Sequence, residues 1–332
     1  MGTVGPGEGH RIFVDELTRF AQEVADQRLL TVAERTGAPL RVAVSGRPGV
    51  GRRTVTRALD RAGVAVTTDT LAAEVHVHVV AEVVKPEDAG AGAALAVLNK
   101  ADLTTFAAAA GPIEAARVHC GRFSELLGAP AVPMSGLLAL AALEGMDPAC
   151  WTALRALAAD PDGLACLDRG FDGFLAARLT VPVAARRRLL AVLDLFGIAL
   201  AVAALRRGAG PAGVRAVLRR VSGVDAALDR LVVAGARPRY LRVLDAVADL
   251  EALAVCDARV AAFLARDATV VARMAAALDA ARADELKLGP AAPLQRAAHW
   301  QRCRRSTTNE LHRACAADIA RGSLRLWARR AG

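Results

Sequence analysis

Apolar runs and helical periods divide the 332-residue chain into three stretches. Over residues 11–36, Phe13, Leu17, Phe20, Val24 and Leu29–Leu30 fall near helical spacing, which predicts a helical prelude. From about 38 to 146 the period changes. Apolar runs at Arg41–Ser45, Val64–Thr68, Val75–Val80, Leu95–Leu98 and Ala131–Met134 have the length of strands, and stretches at 52–62, 86–93, 111–127 and 137–145 read as helices. Such alternation predicts a parallel sheet with helices on its faces. After Met146 the pattern is helical to the end, broken near Asp160–Gly163, Gly208–Gly213, Gly235–Pro238 and Gly289–Pro293, with no fixed repeat. The expected organisation is an N-terminal helix at 1–37 packing on the helical region, an α/β domain of reduced strand number at 38–146, and an all-α bundle at 147–332.

One segment departs from amphipathic patterning. Between Arg188 and Arg206 lie 17 residues, nearly all apolar, with Asp194 and Gly197 inside them. A membrane span takes about 20 such residues, so a buried central helix is the first reading and a membrane-inserting segment the second. Composition changes the picture little. The net charge is +9, but lysine occurs only at Lys85, Lys100 and Lys287, so the positive charge is almost all arginine. That bias discounts the charge as a nucleic-acid signal, and no nucleic-acid partner is expected. Six scattered cysteines without a Cys-x-x-Cys pair suit a reducing compartment, and the N-terminal residues lack a signal-peptide pattern, which together predict a cytoplasmic protein.

The chemistry begins at "RVAVSGRPGVGRRTVTRAL", a strand, a glycine-rich turn and the start of a helix. Gly46, Gly49 and Gly51 permit a tight turn, and free N–H groups at Val50, Gly51 and the following helix start suit an anion. Gly46 and Gly51 are spaced as in a phosphate loop, but Arg52 takes the lysine slot, Arg53 the hydroxyl slot, and Thr54 comes one place late. Farther on, Asn99-Lys100-Ala101-Asp102 follows an apolar strand, and Ser135-Gly136-Leu137 follows the last one.

In order and spacing, "GRPGVGRRT", "NKAD" and "MSGL" resemble the motifs of the translation-factor-related P-loop GTPases, over roughly residues 40–145. A GTPase-like domain followed by a long helical region is similar to bacterial dynamin-like GTPases. The resemblance implies GTP or GDP as ligand. It gives Asp102 the guanine N1–H and exocyclic amine, lays the Lys100 stem along the base, has Asn99 brace the loop, and closes Ser135, Gly136 and Leu137 over the base through backbone N–H groups. Adenine lacks that donor pair.

The departures are as informative. Only 14 residues separate Asp60 from Val75, too few for a first switch and its edge strand. Asp69 stands where the Asp-x-x-Gly aspartate would, but Ala72 replaces the glycine. The expectation is a pseudo-GTPase, with the Mg²⁺ requirement left open and arginine a candidate replacement for the cation. The alternatives are a slow GTPase completed by a partner chain, or an interaction scaffold that binds no nucleotide. The expected partner is another dynamin-like GTPase chain or a second copy, with Arg47, Arg52 and Arg53 on the contacting side, and with peripheral contact at the inner membrane as a further option. Two patterns read as structural. Glu74, His76 and His78 share one strand face, as satisfied buried side chains rather than metal ligands. The arginine-rich C-terminal segment with Trp300 and Trp327 reads as a solvated face with two packed tryptophans rather than a membrane helix.

Overall fold

A computed structural model describes residues 7–103 and 111–331. The chain begins with helices α1 (Glu8–Glu23) and α2 (Gln27–Gly37). A sheet-containing region follows: β1 (Val42–Gly46), α3 (Arg52–Arg61), β2 (Val66–Thr67), β3 (Val75–Ala81), α4 (Pro86–Ala89), β4 (Leu95–Asn99), α5 (Pro112–Leu127), β5 (Ala131–Pro133) and α6 (Gly136–Glu144). The rest is helical: α7 (Pro148–Ala159), α8 (Gly170–Ala176), α9 (Val183–Arg206), α10 (Pro211–Ser222), α11 (Val224–Ala234), α12 (Ala236–Ala254), α13 (Ala258–Ala265), α14 (Asp267–Ala283), α15 (Pro293–Ser306) and α16 (Glu310–Ala331).

Two compact units form, one from Met1–Leu40 with Leu231–Gly332, the other from Arg41–Arg230. The chain therefore does not divide at 146, as the change of pattern suggested. Helices α6, α7, α8 and α10 pack with α9 in the second unit and share one core. A change of secondary-structure period marks where strands stop, but a domain ends where apolar burial ends.

In the unit with both termini, α14 is the central helix and packs against α1, α12 and α16. Its buried face is mostly alanine: Ala272, Ala275, Ala276, Ala277, Ala280 and Ala281. Small residues let the neighbours come close. A Cβ on Gly9 of α1 would lie 2.3 Å from the Ala275 carbonyl carbon. The prelude is two helices rather than one, because Ala25 turns into the left-handed region (φ 52°) and Asp26 caps α2 through Arg28 N–H. Phe20 stacks on Phe263 with ring centroids 4.4 Å apart. Trp300 is buried and donates to the Leu288 carbonyl, whereas Trp327 is exposed, so only one of the two tryptophans packs. Arg325 and Arg329 pair with Asp267.

The other unit holds a five-stranded, all-parallel sheet of order β2-β1-β3-β4-β5. β4 is buried along its whole length and β3 at all but His76, as a parallel sheet covered by helices requires. Leaving β1 the chain first builds β2 on one side and then crosses to β3 on the other. That reversal opens a crevice beyond the carboxyl ends of the strands. Helix α9 is the core helix of this unit, with Leu189, Leu193, Ile198, Ala201 and Val202 fully buried. It is also long and apolar enough to cross a membrane by length and composition. Its path is broken at Asp194 (φ 57°, ψ 177°), where a continuous helix was expected.

In the first unit, Arg273 and Asp318 form a buried pair at 2.7 Å, and the Tyr240 hydroxyl donates to the other Asp318 oxygen. Removing one partner strands a buried charge. Asp318→Ala should cost about 3–5 kcal/mol, read as a fall in the urea midpoint by tryptophan fluorescence. A loss below about 1 kcal/mol would contradict this packing.

Candidate functional site

The turn after β1 is built for close approach. Gly46 (φ 149°) lies against β3, where a Cβ would come within 2.6 Å of the Val79 carbonyl oxygen. Gly51 is left-handed (φ 83°), and a Cβ there would meet the Asn99 amide nitrogen at 2.2 Å. Gly49 (φ 88°) faces open space. The first hydrogen bond of α3 runs from Val55 N–H to the Gly51 carbonyl at 3.1 Å, and no side chain caps the helix. The N–H groups of Arg52, Arg53 and Thr54 thus precede the helical ladder, at the positive end of the α3 dipole. The Arg52 and Arg53 side chains are exposed and have no carboxylate partner among the described residues.

Asn99, at the end of β4, ties this turn to the loop after β5. It is 3% exposed. Its amide nitrogen donates to the Val50 carbonyl at 2.8 Å, and its amide oxygen accepts from Gly136 N–H at 2.9 Å. Gly136 must be bare there, because a Cβ would sit 3.0 Å from both the Asn99 oxygen and the Thr54 methyl. The same loop is held from the other side by Ser135 N–H, which donates to the Ser222 carbonyl at the end of α10.

Past Asn99, Lys100 turns into the left-handed region (φ 57°), and Ala101–Leu103 forms a 3₁₀ turn that buries Asp102. Burial pushes the Asp102 carboxyl up, a hydrogen bond from Ser135 pulls it down, and the charge of Asp194 adds to the rise. A cleft of about 190 Å³ opens here, lined by Gly51, Thr54, Asn99, Lys100, Asp102 and Leu103, with Ser135, Gly136, Leu137 and Asp194. Three loops distant in sequence thus share one wall, and Asp194 enters from α9. A non-glycine residue held in that backbone region costs on the order of 1–3 kcal/mol.

Set against protein-family models, curated proteins and solved structures, the chain matches none. The site is therefore judged on its own geometry.

Behind the turn lies a network that the sequence did not suggest. Asp88, with a fully buried side chain, accepts from Arg47 Nε through both oxygens at 2.9 Å, from Lys85 N–H at 2.8 Å and from His78 Nε2 at 2.9 Å. The carboxylate assigns the proton to Nε2, so in the neutral ring Nδ1 accepts from the Ser45 hydroxyl at 2.9 Å. Arg47 also donates to the Val83 carbonyl. Arg47 is therefore fastened to α4 and to the segment after β3, and is not presented to a partner beside Arg52 and Arg53 as its position in the sequence suggested. Burial alone would raise the Asp88 carboxyl, but the hydrogen bonds from Arg47, Lys85 and His78 outweigh it and hold it at about 2. His78 is satisfied here, while Glu74 accepts from Arg41 N–H, so the alternating residues of β3 form no common ligand set. Asp69 is exposed. Its carboxylate closes its own turn by accepting from Leu71 and Ala72 N–H, and it does not line the cleft.

The site roles missed by sequence reasoning are those of Ser45, Asp88 and Asp194. A carboxylate inside an otherwise apolar helix was the available signal for Asp194. Nothing in the sequence pairs Asp88 with Arg47.

Two outcomes test this geometry. Asn99→Ala leaves a buried carbonyl and a buried N–H unpaired and should cost about 2–4 kcal/mol, measured by urea unfolding. An unchanged midpoint would show that the two loops are held otherwise. A depressed carboxyl stabilises the fold above its unfolded value of 3.8, and that stability fades as pH falls toward about 2. Asp88→Asn should therefore flatten the acid limb of the stability–pH curve in that window. An acid limb identical to the parent's would show that Asp88 carries no such coupling.

Proposed function

We propose that this protein binds a guanine nucleotide and hydrolyses it very slowly, as a pseudo-GTPase. The observation that carries the reading is the double hydrogen bond of Asn99, which sets a glycine turn with free N–H groups beside a buried carboxylate. A phosphate group fits the turn. Gly49 leaves its approach open, the first N–H groups of α3 have no protein acceptor among the described residues, and Arg52 can reach over it as a bidentate donor. The base fits the cleft with its N1–H and exocyclic amine on Asp102. A guanine base adds a pair of donors to the one that Ser135 gives Asp102, and adenine lacks that pair.

Magnesium does not fit in the usual way. Arg53 stands where a hydroxyl ligand is needed, and a guanidinium cannot bind a cation. Nucleotide binding should therefore be independent of Mg²⁺. Phosphoryl transfer relies on charge stabilisation at the outer phosphates and on a positioned water. This chain offers Arg52 for the first, while Asp69, the sole candidate for a switch aspartate, is spent on its own turn. The partner chain, a second dynamin-like GTPase or another copy, and any peripheral membrane contact remain part of the same proposal, since a nucleotide site without a switch is best suited to assembly.

Titration with fluorescent GDP, with and without Mg²⁺ and with ATP as competitor, tests the reading. GDP and GTP should bind and ATP should not, with or without the metal. Asp102→Asn removes a charged hydrogen-bond pair worth about 2–4 kcal/mol. It should weaken GDP at least tenfold and improve xanthosine diphosphate. Affinity in the parent should fall as pH drops, because binding needs the ionised carboxylate, and burial raises the onset above that of an exposed aspartate. Equal affinity for ATP and GTP would sink the proposal. Turnover of GTP should not exceed the order of 10⁻⁴ per second. Fast, magnesium-dependent turnover abolished by Arg52→Ala would replace the pseudo-enzyme with a true GTPase.

A further inference from the structure

The cleft has one wall that none of the three loops explains. Asp194 comes from α9, the core helix of the helical part of this unit, and it is the one lining residue from beyond α6. Its backbone lies where almost only glycine is at ease (φ 57°, ψ 177°). The break serves packing and the cleft at once. Leu193 and Ile198 on either side stand five residues apart, and the break turns both into the same core. It also delivers a carboxylate to the cleft, which packing alone does not require. One Asp194 oxygen accepts from Leu195 N–H at 2.6 Å, and no cation among the described residues pairs with it. A second carboxylate, Asp102, lines the same cleft, and the two charges oppose each other. Two carboxylates at one small cleft, offset only in part by Lys100, favour a ligand edge rich in N–H donors.

The geometry points to Asp194 as a second base-reading residue that takes the amine hydrogen Asp102 leaves over. Guanine carries N1–H and an exocyclic NH₂. Asp102 can take N1–H and one amine hydrogen, which leaves one amine hydrogen without an acceptor. A carboxylate from α9 supplies it. The inference rests on the base-binding reading proposed above and adds a specific consequence. The site should discriminate guanine from hypoxanthine, which keeps N1–H but lacks the amine, more strongly than Asp102 alone allows. The strain at Asp194 would then be retained for recognition, so removing the side chain should help the fold and harm the selectivity.

The test compares GDP with inosine diphosphate on the full chain, by competition against fluorescent GDP, together with thermal melting. In the parent GDP should outcompete inosine diphosphate at least thirtyfold. In Asp194→Gly that ratio should fall at least fivefold while the melting temperature holds or rises, because glycine fits this backbone without strain. Asp194→Asn keeps the shape and the bond to Leu195 N–H but drops the charge, and it should also lower the ratio. That variant secures the test if the glycine substitution unfolds the helix. Two results overturn the inference and are distinguishable. If GDP binds selectively over ATP but both variants keep the parent's GDP-to-inosine ratio, Asp194 reads no base and the base site itself stands. If the parent binds no GDP, the base site and this inference fall together.

Discussion

One buried amide holds the candidate site together. Asn99 can make its two bonds only if the Val50 carbonyl and the Gly136 N–H both point at it, so it fixes the glycine turn and the loop after β5 at once. Everything near it conforms. Gly51 and Gly136 have no Cβ because the amide and Thr54 occupy that space. Lys100 accepts a left-handed backbone so that the chain can turn Asp102 into the cleft. These are local sacrifices that a helix or strand would not make, and they gather within a few residues of one side chain.

The turn is supported from behind as well. Asp88 binds Arg47 of the turn, His78 of β3 and the backbone at Lys85, so the sheet itself holds the loop in place. A loop braced on both sides is pre-organised. Under the proposed function, arginine at positions 52 and 53 is compatible with anion binding at such a turn. The helical part contributes through Ser222, which anchors Ser135, and through Asp194. The cleft therefore belongs to the whole unit from Arg41 to Arg230, and not to the sheet and its flanking helices alone.

Much of this was legible from sequence, and the limits have physical causes. All five strands lie where apolar runs predicted them, because a parallel sheet covered on both faces demands continuous hydrophobicity. The two loop motifs could be read because glycine, asparagine and aspartate are demanded by local geometry. The domain boundary was misplaced, since burial that joins α7–α10 to the sheet-containing unit leaves no mark on helical period. The role of Arg47 was misread because an ion pair formed across 41 residues is a tertiary fact. Asp194 was visible as an anomaly in an apolar helix, but its destination depends on a backbone break that periodicity cannot express.

The central claim is that one ligand bridges the glycine turn and the two loops that Asn99 and its neighbours bring together. Hydrogen–deuterium exchange of the full chain, with and without GDP and without added Mg²⁺, measures this directly. The account predicts that GDP slows exchange together at residues 49–54 and at 135–137, and that Asn99→Ala abolishes the joint protection. Protection confined to one segment, or absent from both at saturating GDP, would contradict it.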